Sequence, residues 1–183
     1  MNGKKAAEIA ALCGFSAWAP MNVPRLNFLQ ENSDMCAAGH CVNYGKSWSC
    51  PPACPPPEAG QRLAAGFDSG LLVQTVCGIE DSFDWPGIQK AGEKHTASFR
   101  RMWGELESGG SVLFAMGAGA CTFCENCSFP AAPCRCPGSM AVSMEAFGLD
   151  VGKVCSDNGL EYCYGPGTIT FTSCFLYGAS HTK

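Results

Sequence analysis

Fourteen cysteines among 183 residues are the groups in this chain with most chemistry to offer, and nine of them fall into two tight groups. Cys36, Cys41, Cys50 and Cys54 are spaced C-x4-C-x8-C-x3-C, and Cys121, Cys124, Cys127, Cys134 and Cys136 are spaced C-x2-C-x2-C-x6-C-x-C-P. Thiols two or three positions apart rarely reach each other in a relaxed disulfide, yet both can point at one metal centre. Cys13, Cys77, Cys155, Cys163 and Cys174 stand singly. A lone cysteine is usually a small buried hydrophobe, and that is the role expected of these five.

The segment CTFCENC places three thiols in one tight loop. A C-x2-C-x2-C run supplies three corners of a 4Fe–4S cube in bacterial ferredoxins, with a further Cys followed by Pro. Here either Cys134 or Cys136, the latter followed by Pro137, must supply the fourth thiolate across a longer gap. Structural zinc sites are the alternative, but they usually combine two C-x2-C knuckles, whereas three evenly spaced cysteines and a fourth suit a cube better. Residues 35–57, MCAAGHCVNYGKSWSCPPACPPP, are too rich in proline to form regular structure, so four thiols on one centre would clamp them. His40 is a possible extra ligand beside Cys41, although four cysteines already complete a site. Tyr44 and Trp48 are expected to shield the centre, and Lys46 to balance its charge.

The elements that must position these loops read as α/β. An amphipathic helix opens the chain and ends near Gly14, within an N-terminal helical segment of residues 1–35. Residues 70–76 (GLLVQTV), 111–116 (SVLFAM) and 168–175 predict three strands, the first two as continuous apolar runs. Asp84 is an N-cap, Pro86 lies in the first turn, and Ile88, Ala91, Phe99, Met102, Trp103 and Leu106 mark one face of a long helix ending near Gly109. Two short helices follow, at 139–147 before Gly148 and after Asp150 to about Gly159. The order β-α-β-α-β predicts one domain over residues 1–183. Its core is a small, at least partly parallel sheet with helices packed on it, and cysteine loops at 36–57 and 121–137 hang from that frame. Gly117 and Gly119 form a G-x-G that suits backbone approach to cluster sulfurs better than a nucleotide.

Composition narrows the function. Hydrophobic residues make up 46% and charged residues 15%, which is enough for a packed core. Twelve Lys plus Arg against sixteen Asp plus Glu give a charge of −4, so a nucleic-acid-binding face is not expected. No apolar run approaches the roughly 20 residues of a membrane span. Glu8 interrupts the only stretch resembling a signal peptide, so a cytoplasmic protein with metal-held thiols is expected.

Several stretches together resemble a family of small proteins of unassigned function described as predicted metal-binding. They are MCAAGHC–NYGKSWSCPPAC, LLVQT–EDSFD, C-x2-C-x2-C with PCR, and SMEAFGLDVGKVC, and the opening GFSAWAP is similar too. The resemblance runs from about Gly14 to Phe175 and implies a metal or iron–sulfur protein of anaerobic metabolism. In that pattern the cysteine before Arg135 is regular and Cys136 looks like an addition, which implies Cys134 as the fourth ligand. The expectation is therefore two 4Fe–4S clusters, on Cys36, Cys41, Cys50 and Cys54 and on Cys121, Cys124, Cys127 and Cys134, passing electrons to a redox protein partner. The alternatives are a zinc-stapled interaction module, or an enzyme binding a small substrate at an open cluster position. Cys136, Cys155, Cys163 and the pair Tyr162 and Tyr164 motivate the last.

Overall fold

The computed structural model describes residues 2–111 and 113–178, except for the side chains of residues 39 and 40. Its frame is a four-stranded sheet of β1 (Ala17–Met21), β2 (Ser69–Gly78), β3 (Leu113–Met116) and β4 (Thr168–Tyr177), in the order β1-β2-β4-β3. Every neighbouring pair is antiparallel: Leu72 faces Ala19 and Cys174, and Met116 faces Cys174 from the other side.

This corrects the expected parallel β-α-β-α-β sheet. The strands β2 and β3 do run in the same direction with a helix between them, but β4 inserts into the gap and pairs antiparallel with both. Continuous apolar runs are the signature of a sheet covered on both faces, which is the usual state of parallel sheets. Here an antiparallel sheet is covered on both faces and produces the same signature. The strand β1 lacks a strand-like pattern in the sequence because Pro20 interrupts it. As an edge strand, β1 tolerates a residue without an N–H.

Side chains alternate between two cores. Leu71, Val73, Phe175 and Tyr177 point to a layer of α1 (Gly3–Cys13) and α4 (Trp85–Ser108), meeting Ala6, Ala10, Phe99, Met102 and Leu106. Leu72, Cys174 and Leu176 point the other way, into a core with Met144, Phe147, Leu149 and Val154. That second face is covered by α3 (Pro57–Ala64), by the 140–149 segment and by α5 (Val151–Asp157).

The capping logic holds where it is local. The Asp84 carboxylate accepts from the Gly87 N–H at 2.9 Å, and Gly109 closes α4. Asp150 accepts from Lys153 N at 3.0 Å and starts α5. The left-handed Gly14, at φ 91°, ends α1. The helix expected over 139–147 does not form. Residues Pro137–Ser139 make one 3-10 turn, and Gly117 bridges Ser143 so that the following residues are held as turns. The proline-rich segment does carry short helical pieces at its borders: α2 (Gln30–Asp34) runs into a π turn at Cys36–His40, and α3 begins at Pro57.

Candidate metal centre

Both cysteine groups lie on loops held by rigid elements. The first follows α2, which is fastened by the Ser33 hydroxyl donating to the Ala146 carbonyl at 2.9 Å. The Leu29 N–H and the Asn32 side chain both donate to the Gly148 carbonyl, at 2.9 and 3.0 Å. From there a series of tight turns folds the loop back: Tyr44 N donates to Cys41 O, Gly45 N to Pro51 O, and Cys54 N to Cys50 O, at 2.8–3.1 Å. The result brings Cys36 near Cys41 and Cys50, and Cys54 near Cys50 and Cys36.

Burial, and then close neighbours, hold two of these thiols in their neutral form. Burial pushes the Cys36 thiol up to about 11, with Cys41, the Glu145 carboxylate and Cys50 adding to the effect. Cys54 is also pushed up to about 11, first by burial and then by its neighbouring thiols. Close thiols resist becoming anions together, so a metal is the group that makes four thiolates stable in one place. Tyr44 is exposed rather than shielding. The side chain of His40 lies outside the described residues.

The second group hangs from the end of β3, as the run from the SVLFAM strand into GAGAC predicts. Gly117 N donates to Val142 O at 2.9 Å, and the left-handed Gly119, at φ 74°, turns the chain toward Cys121. Phe123 anchors this loop edge-on against Trp103 at 5.2 Å, with the Arg100 guanidinium 5.8 Å from its ring centre. The Arg135 side chain donates to the Asn126 carbonyl, and Ser128 Oγ to the Pro133 carbonyl at 2.8 Å, which folds the 128–136 segment back over CTFCENC. All five cysteines, 121, 124, 127, 134 and 136, then line one small cavity. Cys136 is hydrogen-bonded to Cys124, which with the nearby Cys134 raises its thiol although it is exposed. Cys134 and Cys136 thus line the same cavity.

The spacing did not foretell that the two loops dock on each other. Ser49 Oγ accepts from the Cys121 N–H at 2.8 Å and shares a second hydrogen bond with Ser47 at 3.0 Å. The Trp48 indole N–H donates to Ala132 O at 3.0 Å, and its ring meets Phe129 edge-on at 5.1 Å. The only sequence signal for this contact was the polar pair Ser47 and Ser49 buried between cysteines, and it has no meaning until the other loop arrives.

All fourteen cysteines are free thiols, so no disulfide competes with a metal. Among the described residues, no three His, Cys, Asp or Glu donors already surround one ion-sized point. The donor set fits a thiolate-ligated centre in kind and grouping, with no formed ion site among the described residues. Cys13, Cys155 and Cys174 are buried as expected, Cys77 is half-buried, and Cys163 is exposed. Cys155 receives a hydrogen bond from Gln74 Nε2 at 3.4 Å, and burial raises its thiol, so it offers no accessible nucleophile.

Among the described residues no helix is long and apolar enough to cross a membrane. The family model described as "Predicted metal-binding protein (DUF2284)" matches residues 20–177, a span that takes in both cysteine groups. No curated protein and no solved structure matches the chain.

Proposed function

The chain belongs to that family of predicted metal-binding proteins, and on this premise we propose that it is a two-centre iron–sulfur protein that relays electrons between redox partners. Cys36, Cys41, Cys50 and Cys54 hold one 4Fe–4S cluster. Cys121, Cys124, Cys127 and Cys134 hold the other, with Cys136 as a spare thiol beside it. The cluster supplies one-electron chemistry at a potential set by its thiolates, nearby hydrogen bonds and exposure to solvent. The observation that carries this reading is the docking of the two loops through Ser49–Cys121 and Trp48–Ala132, which puts the two cysteine-bearing loops in direct contact. Two unrelated structural staples have no need to touch, whereas a relay works only over short distances. Phe123, Trp48 and Phe129 supply the apolar cover that such a centre uses to limit water.

The test is anaerobic production and cluster reconstitution, followed by iron and sulfide analysis and EPR after reduction with dithionite. The expected result is about four irons and four sulfides per site, with signals from two coupled clusters. Stoichiometric zinc without sulfide, or a reduced sample with no cluster signal, overturns the proposal. A zinc-stapled module is the second reading, favoured by one observation: the cavity among the second group's thiols measures about 20 Å3, the size of a single small occupant. The same elemental analysis decides between them.

A further inference from the structure

Where the two cysteine loops meet, they leave an open slot of about 430 Å3. Trp48 and Pro55 wall it from the first loop, Pro130, Pro133 and Met140 wall it from the second, and Cys134 stands between this slot and the cavity of the five thiols. From these observations we infer that the slot is a binding site for an uncharged, flat, redox-active ring of the quinone class.

The lining argues for an uncharged, flat occupant. The volume lies in the range of ordinary small-molecule pockets, about 300–1,000 Å3. Among the described residues no charged side chain lines it, and the Trp48 indole N–H is already spent on the Ala132 carbonyl. A phosphate or carboxylate would lose its water there without a counter-charge, which disfavours nucleotides and organic acids. An indole and proline rings present flat apolar faces, which a planar ring covers better than a branched aliphatic chain does. The redox character rests on the two-centre reading: Cys134 would be a ligand there, and it lines both the slot and the cavity of the five thiols. Ring binding itself does not require the metal.

Duroquinone is the probe, because its fully methylated ring cannot add to free thiols. Equilibrium dialysis against the full-length, anaerobically purified chain should give saturable binding near one equivalent, with quenching of tryptophan fluorescence. Ala131 lines the slot and is exposed, so Ala131→Phe fills the slot without disturbing a core. This variant should bind duroquinone at least tenfold more weakly while keeping the wild-type iron, zinc and sulfide content. Anthraquinone-2,6-disulfonate, of the same chemistry but doubly charged, should not bind. Absence of saturable duroquinone binding, equal binding by the Ala131→Phe variant, or equally tight binding of the disulfonate each overturns the inference. Metal analysis of the same samples separates the two claims. Ring binding by iron-free protein removes the two-cluster reading and keeps the slot; iron-loaded protein that ignores the ring does the reverse.

Discussion

His95 shows how much a single side chain can reveal when its surroundings are known. It is 3% exposed, its Nδ1 pairs with Thr75 Oγ1 at 2.9 Å and its Nε2 with Ser173 Oγ at 2.7 Å, and Phe15 and Phe171 flank the ring. Burial lowers its pKa from 6.5 to about 4, because the charged ring would lose its water there. A folded-state pKa below the unfolded one means that this stability is fully present above pH 6.5. It is lost progressively as the pH falls from 6.5 toward 4, and over that span the loss approaches about 3 kcal/mol. Urea unfolding at pH 7, 5.5 and 4.5 should show it, and the difference between wild type and His95→Gln should isolate the contribution of this group. An unchanged pH dependence in the variant would place the acid sensitivity elsewhere. At the same scale the thiols split into three kinds: nine grouped ones, the buried Cys13, Cys155 and Cys174 that only fill space, and the half-buried Cys77 with the exposed Cys163. Spacing identified the first kind. Burial, which a sequence records only indirectly, separates the other two.

Elements position the site through turns more than through long helices. Gly148 is the clearest case. Its φ of 83° is left-handed, and an added Cβ would lie 2.2 Å from the Leu29 carbonyl oxygen. The same turn holds α2, and α2 leads straight into Cys36. Gly148→Ala should therefore cost about 3 kcal/mol or more and lower metal retention at the first group. Gly159 is a matched control. It is also left-handed, at φ 77°, but nothing lies within 4 Å of an added Cβ, so Gly159→Ala should cost only about 1 kcal/mol. Thermal unfolding of the two variants compares them directly, and equal losses would contradict the steric account. Long α4 was readable because its cap, its apolar face and its closing glycine all lie within one stretch of chain. The expected 139–147 helix failed because Gly117, from another part of the chain, bridges Ser143 and commits that segment to turns.

On the scale of the whole molecule, two cores on opposite faces of one sheet support the two loops separately. Cys121 and Phe123 pack against the α1/α4 core, and Cys54 packs against the other. The thiols are grouped but do not surround an ion-sized point among the described residues; on the two-centre reading proposed above, a metal bound at each group would draw its loop closed and contribute folding free energy. Stripping the metal under reducing conditions should then lower the unfolding temperature. It should also expose residues 36–57 and 121–137 to hydrogen exchange, while the amides of β2 and β4 stay protected. Equal loop protection before and after stripping would mean that protein contacts alone hold the loops.

The amino-acid sequence by itself determined the thiol inventory, its division into two groups, the caps of α1, α4 and α5, and the apolar strands, because each of these rests on neighbours a few positions apart. Only the tertiary structure decided that β4 inserts between β2 and β3, that Cys136 joins the same cavity as Cys134, and that the two loops meet to leave an apolar slot. Those outcomes depend on contacts such as Ser49 with Cys121, 72 positions apart, which no local pattern encodes. The antiparallel pairing was hidden for a related reason. Apolar runs report that both faces of a strand are covered, and that burial is the same whichever way the neighbouring strand runs.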